Sequence, residues 1–204
     1  MTQNPDKQAT VFIVDDDPAI RFAMQALMDS VNIEHEIFAS GDEFLESAAE
    51  QRPGCLVLDI RMPGLGGLEL QEELIRRGSS LPIIFITGHG DVPMAVDAMQ
   101  KGAVDFIQKP FRDQDLLDRV HEALRTDQER REEQQAHTEV AERLARLTNR
   151  EREVFDLVVT GKPNKVIAYD LGVSQRTVEI HRARVMEKMQ ARSLADLVKM
   201  HMTA

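Results

Sequence analysis

Cys55-Leu56-Val57-Leu58-Asp59-Ile60-Arg61-Met62-Pro63-Gly64 runs an unbroken apolar strand into a single carboxylate and then into a Pro/Gly turn. The pattern predicts a buried strand with Asp59 at its carboxyl end. In an open parallel sheet covered by helices on both faces, reacting groups and ligands collect at that edge, so an Asp there is placed for chemistry. A strand-end Asp also serves as a helix cap or turn former. The reading of Asp59 therefore depends on which residues share its edge.

Upstream, Thr10-Val-Phe-Ile-Val14 reads as a buried strand followed at once by Asp15-Asp16-Asp17-Pro18. Asp17 suits a helix cap and Pro18 the first helical position, which leaves Asp15 and Asp16 unexplained by capping. Helical spacing runs through Ile20, Met24, Leu27 and Met28, a short strand covers Glu36-Ile37-Phe38, and Ser40-Gly-Asp-Glu43 has the form of a capping box. Downstream of Gly64, a helix over Leu68 to Arg76 precedes a strand over Leu81 to Ile86, which closes on Thr87. Asp91 is placed to cap a helix over Pro93 to Gln100, Gly102 to end it, and Ala103 to Ile107 to form a fifth strand that delivers Lys109. Five strands alternating with helices, without hairpin signals, imply a doubly wound α/β fold with a parallel five-stranded sheet.

One sheet edge then gathers Asp15, Asp16, Asp59, Thr87 and Lys109 from four strand ends. Crowded carboxylates repel one another, and a hard divalent cation such as Mg²⁺, which prefers oxygen ligands, holds them ionised. Nucleophilic carboxylate, metal, hydroxyl and ammonium together suit a phosphoryl group. Asp59 is the candidate to attack phosphorus, Lys109 to neutralise the equatorial oxygens and Thr87 to donate a hydrogen bond to one of them.

The acidic pair Asp15-Asp16, the run Leu58-Asp59-Ile-Arg-Met-Pro-Gly64, Thr87, and Asp105-Phe-Ile-Gln-Lys109-Pro-Phe resemble the receiver domain of two-component response regulators, a flavodoxin-like fold. The resemblance implies that Asp59 is the phosphoacceptor. It further implies that Asp16, Asp59 and the backbone carbonyl of Arg61 bind Mg²⁺ with Asp15 assisting through water, and that Thr87 and Phe106 form a switch pair.

The overall charge of −10 argues against a nucleic-acid binder until the chain is divided. Residues 1–124 carry 10 basic and 22 acidic side chains, residues 125–146 carry 5 and 6, and residues 147–204 carry 10 and 7. The last part is thus weakly basic, which makes it the candidate for contact with nucleic acid. The single cysteine, Cys55, excludes an intramolecular disulfide framework and a multi-cysteine zinc site, and reads as a core residue. No apolar run reaches the roughly 20 residues of a membrane span and the start carries no secretory pattern, so the expectation is a cytoplasmic protein without a membrane partner.

From Asp113 a helical pattern through Leu116, Leu117, Val120 and Leu124 continues without Gly or Pro toward Leu147. A helix of that length spans on the order of 50 Å. Apolar positions are sparse between residues 126 and 143, so residues 125–146 read as a helical linker and not as a coiled-coil seam. It separates a domain of residues 1–124 from an all-α domain of residues 147–204.

In that second domain Thr148-Asn-Arg-Glu151 is a capping box, with Leu147 before it as a staple, and opens a helix that Gly161 ends. Asn164 to Leu171 and Gln175 to Met189, separated by Gly172 and capped by Ser174, have the spacing of a helix-turn-helix. Val166, Ile167, Leu171, Val173, Val178 and Val185 fall on its inner face. Gln175, Arg176, Thr177, Glu179, His181, Arg182, Arg184 and Lys188 belong to the candidate DNA-binding helix. The motifs Leu147-Thr-x-Arg-Glu-Arg-Glu-Val154, Asn164-Lys-x-Ile-Ala168, Leu171-Gly-Val-Ser174 and Thr177-Val-Glu-x-His181 resemble the four-helix LuxR-type DNA-binding domain. With the receiver pattern and Thr87-Gly-His-Gly-Asp-Val-Pro-Met-Ala-Val96, the chain resembles FixJ-type response regulators.

That resemblance implies a transcriptional regulator of double-stranded promoter DNA that takes its phosphoryl group from a sensor histidine kinase. Dimerisation on phosphorylation from a monomeric state, with RNA polymerase as a further partner, belongs to the same expectation. Lys165, Arg184 and Lys188 are expected on phosphates. Glu179 and Ala183 replace lysines found in NarL-type relatives; Glu179 either accepts from a cytosine amino group or orients Arg182 or Arg176. An aspartyl phosphatase is the rival enzyme reading, but Arg61 stands where its second acid belongs, so the chain is not read as an enzyme. A protein-binding adaptor is the other rival, opposed by the basic charge of residues 147–204.

Overall fold

The computed structural model describes residues 9–88 and 92–203. Contacts divide the chain into two compact units between Arg130 and Arg131.

The first unit is built on five parallel strands, β1 (Thr10–Val14), β2 (His35–Phe38), β3 (Gly54–Asp59), β4 (Ile83–Thr87) and β5 (Asp105–Gln108), in the order β2-β1-β3-β4-β5. Alternate residues of each strand face opposite ways, so the sheet carries two cores. One face packs Phe12, Val14, Leu56, Leu58 and Phe85 against α2 (Gly41–Glu46), α3 (Gly67–Arg76) and α4 (Val92–Gln100) through Phe44, Leu70, Leu74 and Ala98. The other packs Val11, Ile13, Cys55, Val57, Ile84 and Ile86 against α1 (Pro18–Ser30) and the start of α5 (Asp113–Ala145) through Met24, Met28, Leu116 and Val120. This is the doubly wound fold expected. Burial of Cys55 pushes its thiol up to about 12, as befits an inert core residue.

The expected boundaries shift where chain exits consume residues. β4 begins at Ile83, because Leu81 and Pro82 form its approach; Pro82 contributes only its carbonyl, which accepts from Leu56 N–H. β5 begins at Asp105, because Gly102 (φ +94°) and Ala103, whose N–H donates to Ala98 carbonyl, still belong to the end of α4. Asp17 caps α1 through Ala19 N–H with Pro18 at the first position. Ser40 accepts from Glu43 N–H, but the Glu43 carboxylate reaches back to Ala39 N–H, one residue earlier than a regular box. The expected cap Asp91 lies outside the described residues.

The second unit holds α6 (Asn149–Val159), α7 (Asn164–Leu171), α8 (Gln175–Met189) and α9 (Leu194–Thr203). Thr148 and Glu151 close a reciprocal capping box at α6. Gly172 ends α7 at φ +65°, and Ser174 caps α8 through Thr177 N–H, the turn a helix-turn-helix needs. Val154, Phe155, Val158, Ile167, Val178, Val185, Met189 and Leu197 form its core, joined by Val140 and Leu144 from α5. Val166, expected inside, is 41% exposed. α7 turns Ile167 and Ala168 into the core and leaves Val166 on the outside.

The linker expected at 125–146 is thus used at both ends. Asp127, almost completely buried, accepts from Gly54 N–H at 2.9 Å at the head of β3, and Arg130 donates to the Ser80 carbonyl. Among the described residues no helix is long and apolar enough to cross a membrane.

Candidate functional site

β1 and β3 are neighbours, so the residues just past Val14 and Leu58 emerge side by side. Asp15 and Asp59 are both buried there, and Lys109, delivered past β5, bridges them. Its Nζ donates to Asp59 Oδ1 at 2.7 Å and to Asp15 Oδ2 at 3.0 Å. Asp59 Oδ2 accepts from Arg61 N–H at 2.7 Å, and Asp15 Oδ1 from Asp17 N–H at 2.9 Å. The nucleophile candidate is therefore aimed by its own turn on one oxygen and by an ammonium on the other.

Burial raises Asp15 above the usual carboxylate range, against the opposing pull of the Asp17 N–H and Lys109. Burial pulls Lys109 down, but its hydrogen bonds to Asp59 and Asp15 prevail and hold the ammonium above its ordinary value. Thr87, buried at the end of β4, is tied to the same edge through its carbonyl, which accepts from Lys109 N–H at 2.7 Å. Phe106 is half-buried and packs against the first core.

Three carboxylates do not converge, contrary to expectation. Asp16 is exposed, and among the described residues no group of three His, Cys, Asp or Glu is assembled for a metal. The reason is local: Arg21, one turn into α1, donates Nη1 to the carbonyls of Asp15 at 2.7 Å and Asp16 at 2.8 Å, fixing the backbone of the acidic loop while Asp17 turns into its cap. The two buried carboxylates are all-oxygen donors of the type Mg²⁺ prefers, with Asp16 adjacent in the chain, so the donor chemistry fits a hard cation.

Gly67 was also missed by sequence reasoning. A Cβ there would stand 2.3 Å from the Asp59 carbonyl oxygen, so only glycine lets α3 start directly behind Asp59. The Gly66-Gly67 pair after Leu65 was the available signal.

On α8, Gln175, Arg176, Glu179 and Arg184 are exposed and Thr177 half-exposed, as is the exposed Lys165 on α7 for the preceding helix. Three others of the expected outer face are drawn inward. Arg182 Nη1 donates to Asn164 Oδ1 at 2.9 Å, fastening α8 to the start of α7, and His181 has its Nδ1 buried. Lys188 Nζ donates to Glu151 Oε2 at 2.6 Å and to the Arg146 carbonyl at 3.1 Å. That bond, then the Thr148 N–H, holds the Glu151 carboxyl down at about 2. Lys188 is thus spent on the capping box of α6. Glu179 accepts from Gln175 Nε2 at 3.2 Å, and among the described residues no hydrogen bond or ion pair joins it to Arg176 or Arg182.

Comparison with known proteins divides the chain in the same way. The family described as response regulator receiver domain matches residues 11–121, and that described as bacterial regulatory proteins, luxR family, matches residues 145–201. Nodulation protein W of Bradyrhizobium diazoefficiens is 50% identical over 196 residues, covering 96% of this chain and 86% of its own. The transcriptional regulatory protein FixJ of Azorhizobium caulinodans is 45% identical over 194 residues, 95% of this chain and 92% of its own. Among solved structures, the response regulator StyR is 43% identical with a TM-score of 0.89, covering 97% of this chain and 100% of that one. Full-length FixJ from B. japonicum is 40% identical with a TM-score of 0.61, covering 96% and 97%.

Proposed function

The chain belongs to the FixJ-type response regulators, in which a receiver domain is joined to a LuxR-type DNA-binding domain, and from that premise we propose the residues that carry its chemistry. It is a DNA-binding transcriptional regulator of two-component signalling. The receiver is residues 1–124, the DNA-binding domain residues 147–204 and the linker residues 125–146.

Asp59 is the phosphoacceptor. Its Oδ1, released as Lys109 shifts to the incoming phosphoryl group, attacks the phosphorus of a phosphohistidine on a sensor kinase, the P–N bond breaks, and the imidazole leaves with a proton from solvent. Lys109 moves its ammonium from carboxylate to phosphoryl oxygen, so the charge that accumulates on the equatorial oxygens meets a cation already in place. Thr87 donates a hydrogen bond from its hydroxyl to another of these oxygens, and Phe106 turns inward into the space that Thr87 vacates. Asp59, the Arg61 carbonyl and Asp16, whose exposed side chain would have to turn inward, would hold Mg²⁺ with Asp15 assisting through water, and the ion would supply further charge neutralisation. Asp59 turns over once per signal, so the protein is a stoichiometric acceptor and not an enzyme.

The repositioned Thr87 and Phe106 reshape α4 and β5, and two copies associate through that face. A closed pair of DNA-binding domains suits paired half-sites in promoter DNA. Arg176 and Glu179, with Gln175 and Thr177, read bases; Lys165 and Arg184 hold phosphates; Arg182, His181 and Lys188 hold the reading helix. RNA polymerase is the downstream partner, and the cytoplasm is where kinase, protein and promoter meet.

The observation that carries this reading is Lys109 bridging Asp15 and Asp59 at the carboxyl edge of the sheet. Acetyl phosphate with Mg²⁺ tests it. Wild type gains one phosphoryl group by intact mass, Asp59→Asn gains none, and Lys109→Ala is slowed. A phosphorylated Asp59→Asn protein would remove Asp59 from its role.

A further inference from the structure

Ile180 keeps 46% of its surface exposed, whereas Val178, Val185 and Met189 of the same helix are fully buried. Scattered exposed aliphatic residues are ordinary on protein surfaces. Position sets this one apart. Arg176, Ile180 and Arg184 are spaced four apart and so follow one line along the surface of α8. Both arginines are exposed, and among the described residues no ion pair holds either guanidinium. Ala183, also exposed, adds only a methyl group three positions on from Ile180. The centre of the reading face is therefore apolar, with an unpaired cation one turn to either side.

We propose that Ile180 reads the C5-methyl group of a thymine in the major groove, with Arg176 reading a base on one side of it and Arg184 holding a phosphate on the other. The inference rests on α8 being the DNA-reading helix. The base edges of the major groove present donors, acceptors and one apolar group, the thymine methyl. A side chain without hydrogen-bonding capacity that desolvates donors or acceptors returns nothing for them. Over a thymine it covers the methyl and withdraws its own exposed surface from water. Ile180 is β-branched, so its χ1 is nearly fixed in a helix and its methyl groups are held at a defined place. It can therefore separate thymine from cytosine, whose corresponding ring carbon carries only hydrogen.

The test uses the full chain with beryllium fluoride and Mg²⁺. The preferred duplex is selected from random sequence, and each thymine in it is replaced in turn by deoxyuridine, which deletes only the methyl. In each half-site one replacement weakens wild-type binding about fourfold, the effect of burying one such group. Ile180→Ala, which alters both bound copies, binds the parent duplex weaker by about the square of that factor and is indifferent to that replacement, whereas Ile180→Val keeps the sensitivity. If wild type binds every uracil duplex as it binds the parent, or if Ile180→Ala retains the full uracil effect, the assignment is overturned while the DNA reading stands. A chain that selects no duplex at all overturns both.

Discussion

Lys109 decides how much charge the receiver edge can bear, because its ammonium is shared by two buried carboxylates. Burial holds Asp15 above the ordinary carboxylate range. Its ionisation therefore opposes folding at neutral pH, and the opposition fades as the pH falls through that range. Asp15→Asn is expected to raise the Tm of metal-free protein at neutral pH. The gain should vanish in acid, and phosphorylation by acetyl phosphate should slow. A lower Tm at neutral pH would contradict this account. Asp16→Asn should leave Tm unchanged, since Asp16 is exposed, yet weaken the Mg²⁺ dependence of phosphorylation. Gly67→Ala should damage the site without touching its chemistry, because the added methyl group meets the Asp59 carbonyl; a phosphorylation rate equal to wild type would show that α3 yields at no cost.

The helices carry two long-range ties whose removal has distinct signatures. Asp127 on α5 satisfies the N–H of Gly54 at the head of β3, the strand that ends in Asp59. Asp127→Ala leaves that buried N–H unpaired and should cost about 1–3 kcal/mol, with faster hydrogen exchange at Gly54 as the direct readout. At α6, Glu151 lies far below its ordinary value because of Lys188. A depressed carboxylate contributes stability in full above its unfolded value near 4.5 and loses it as the pH falls toward about 2. Acid unfolding of the second unit, followed by far-ultraviolet circular dichroism, should therefore lose this contribution across that interval in wild type and show no such component in Glu151→Gln. Lys188→Ala should lower thermal stability but leave the salt dependence of DNA binding unaltered, whereas Arg184→Ala should reduce the slope of log K against log salt by about 0.9. Local chemistry made most of the fold legible: unbroken apolar strands, Asp17-Pro18, the Thr148 box and Gly172 each act within a few residues of where they stand. What stayed hidden acts across the chain. Periodicity placed Lys188 on the outer face of α8, but its four-carbon stem reaches back to an acid 37 positions away, and Asp127 lay in a charged run that reads as solvated. Asp59, Thr87 and Lys109 were legible because each closes a strand; Arg21 was not, because its task is to hold carbonyls that every residue has.

Across the whole chain, the charge distribution sets the terms of DNA binding. A receiver carrying 22 acidic against 10 basic residues repels DNA, and a DNA-binding domain carrying 10 basic against 7 acidic attracts it only through local clusters such as Arg176 and Arg184. One copy should therefore bind weakly, and two copies joined through their receivers should bind with the gain that linkage of two sites confers. In the proposed reading, phosphorylation at Asp59 supplies the joining. The most direct measurement is sedimentation velocity of a fluorescent duplex carrying the selected site, with full-length protein added in the presence and absence of beryllium fluoride. With the mimic, wild type should shift the duplex to a species holding two protein chains, while Asp59→Asn should not. Equal masses and equal affinities with and without the mimic, at concentrations where the mimic occupies the receiver, would contradict the claim that chemistry at Asp59 controls the protein's grip on DNA.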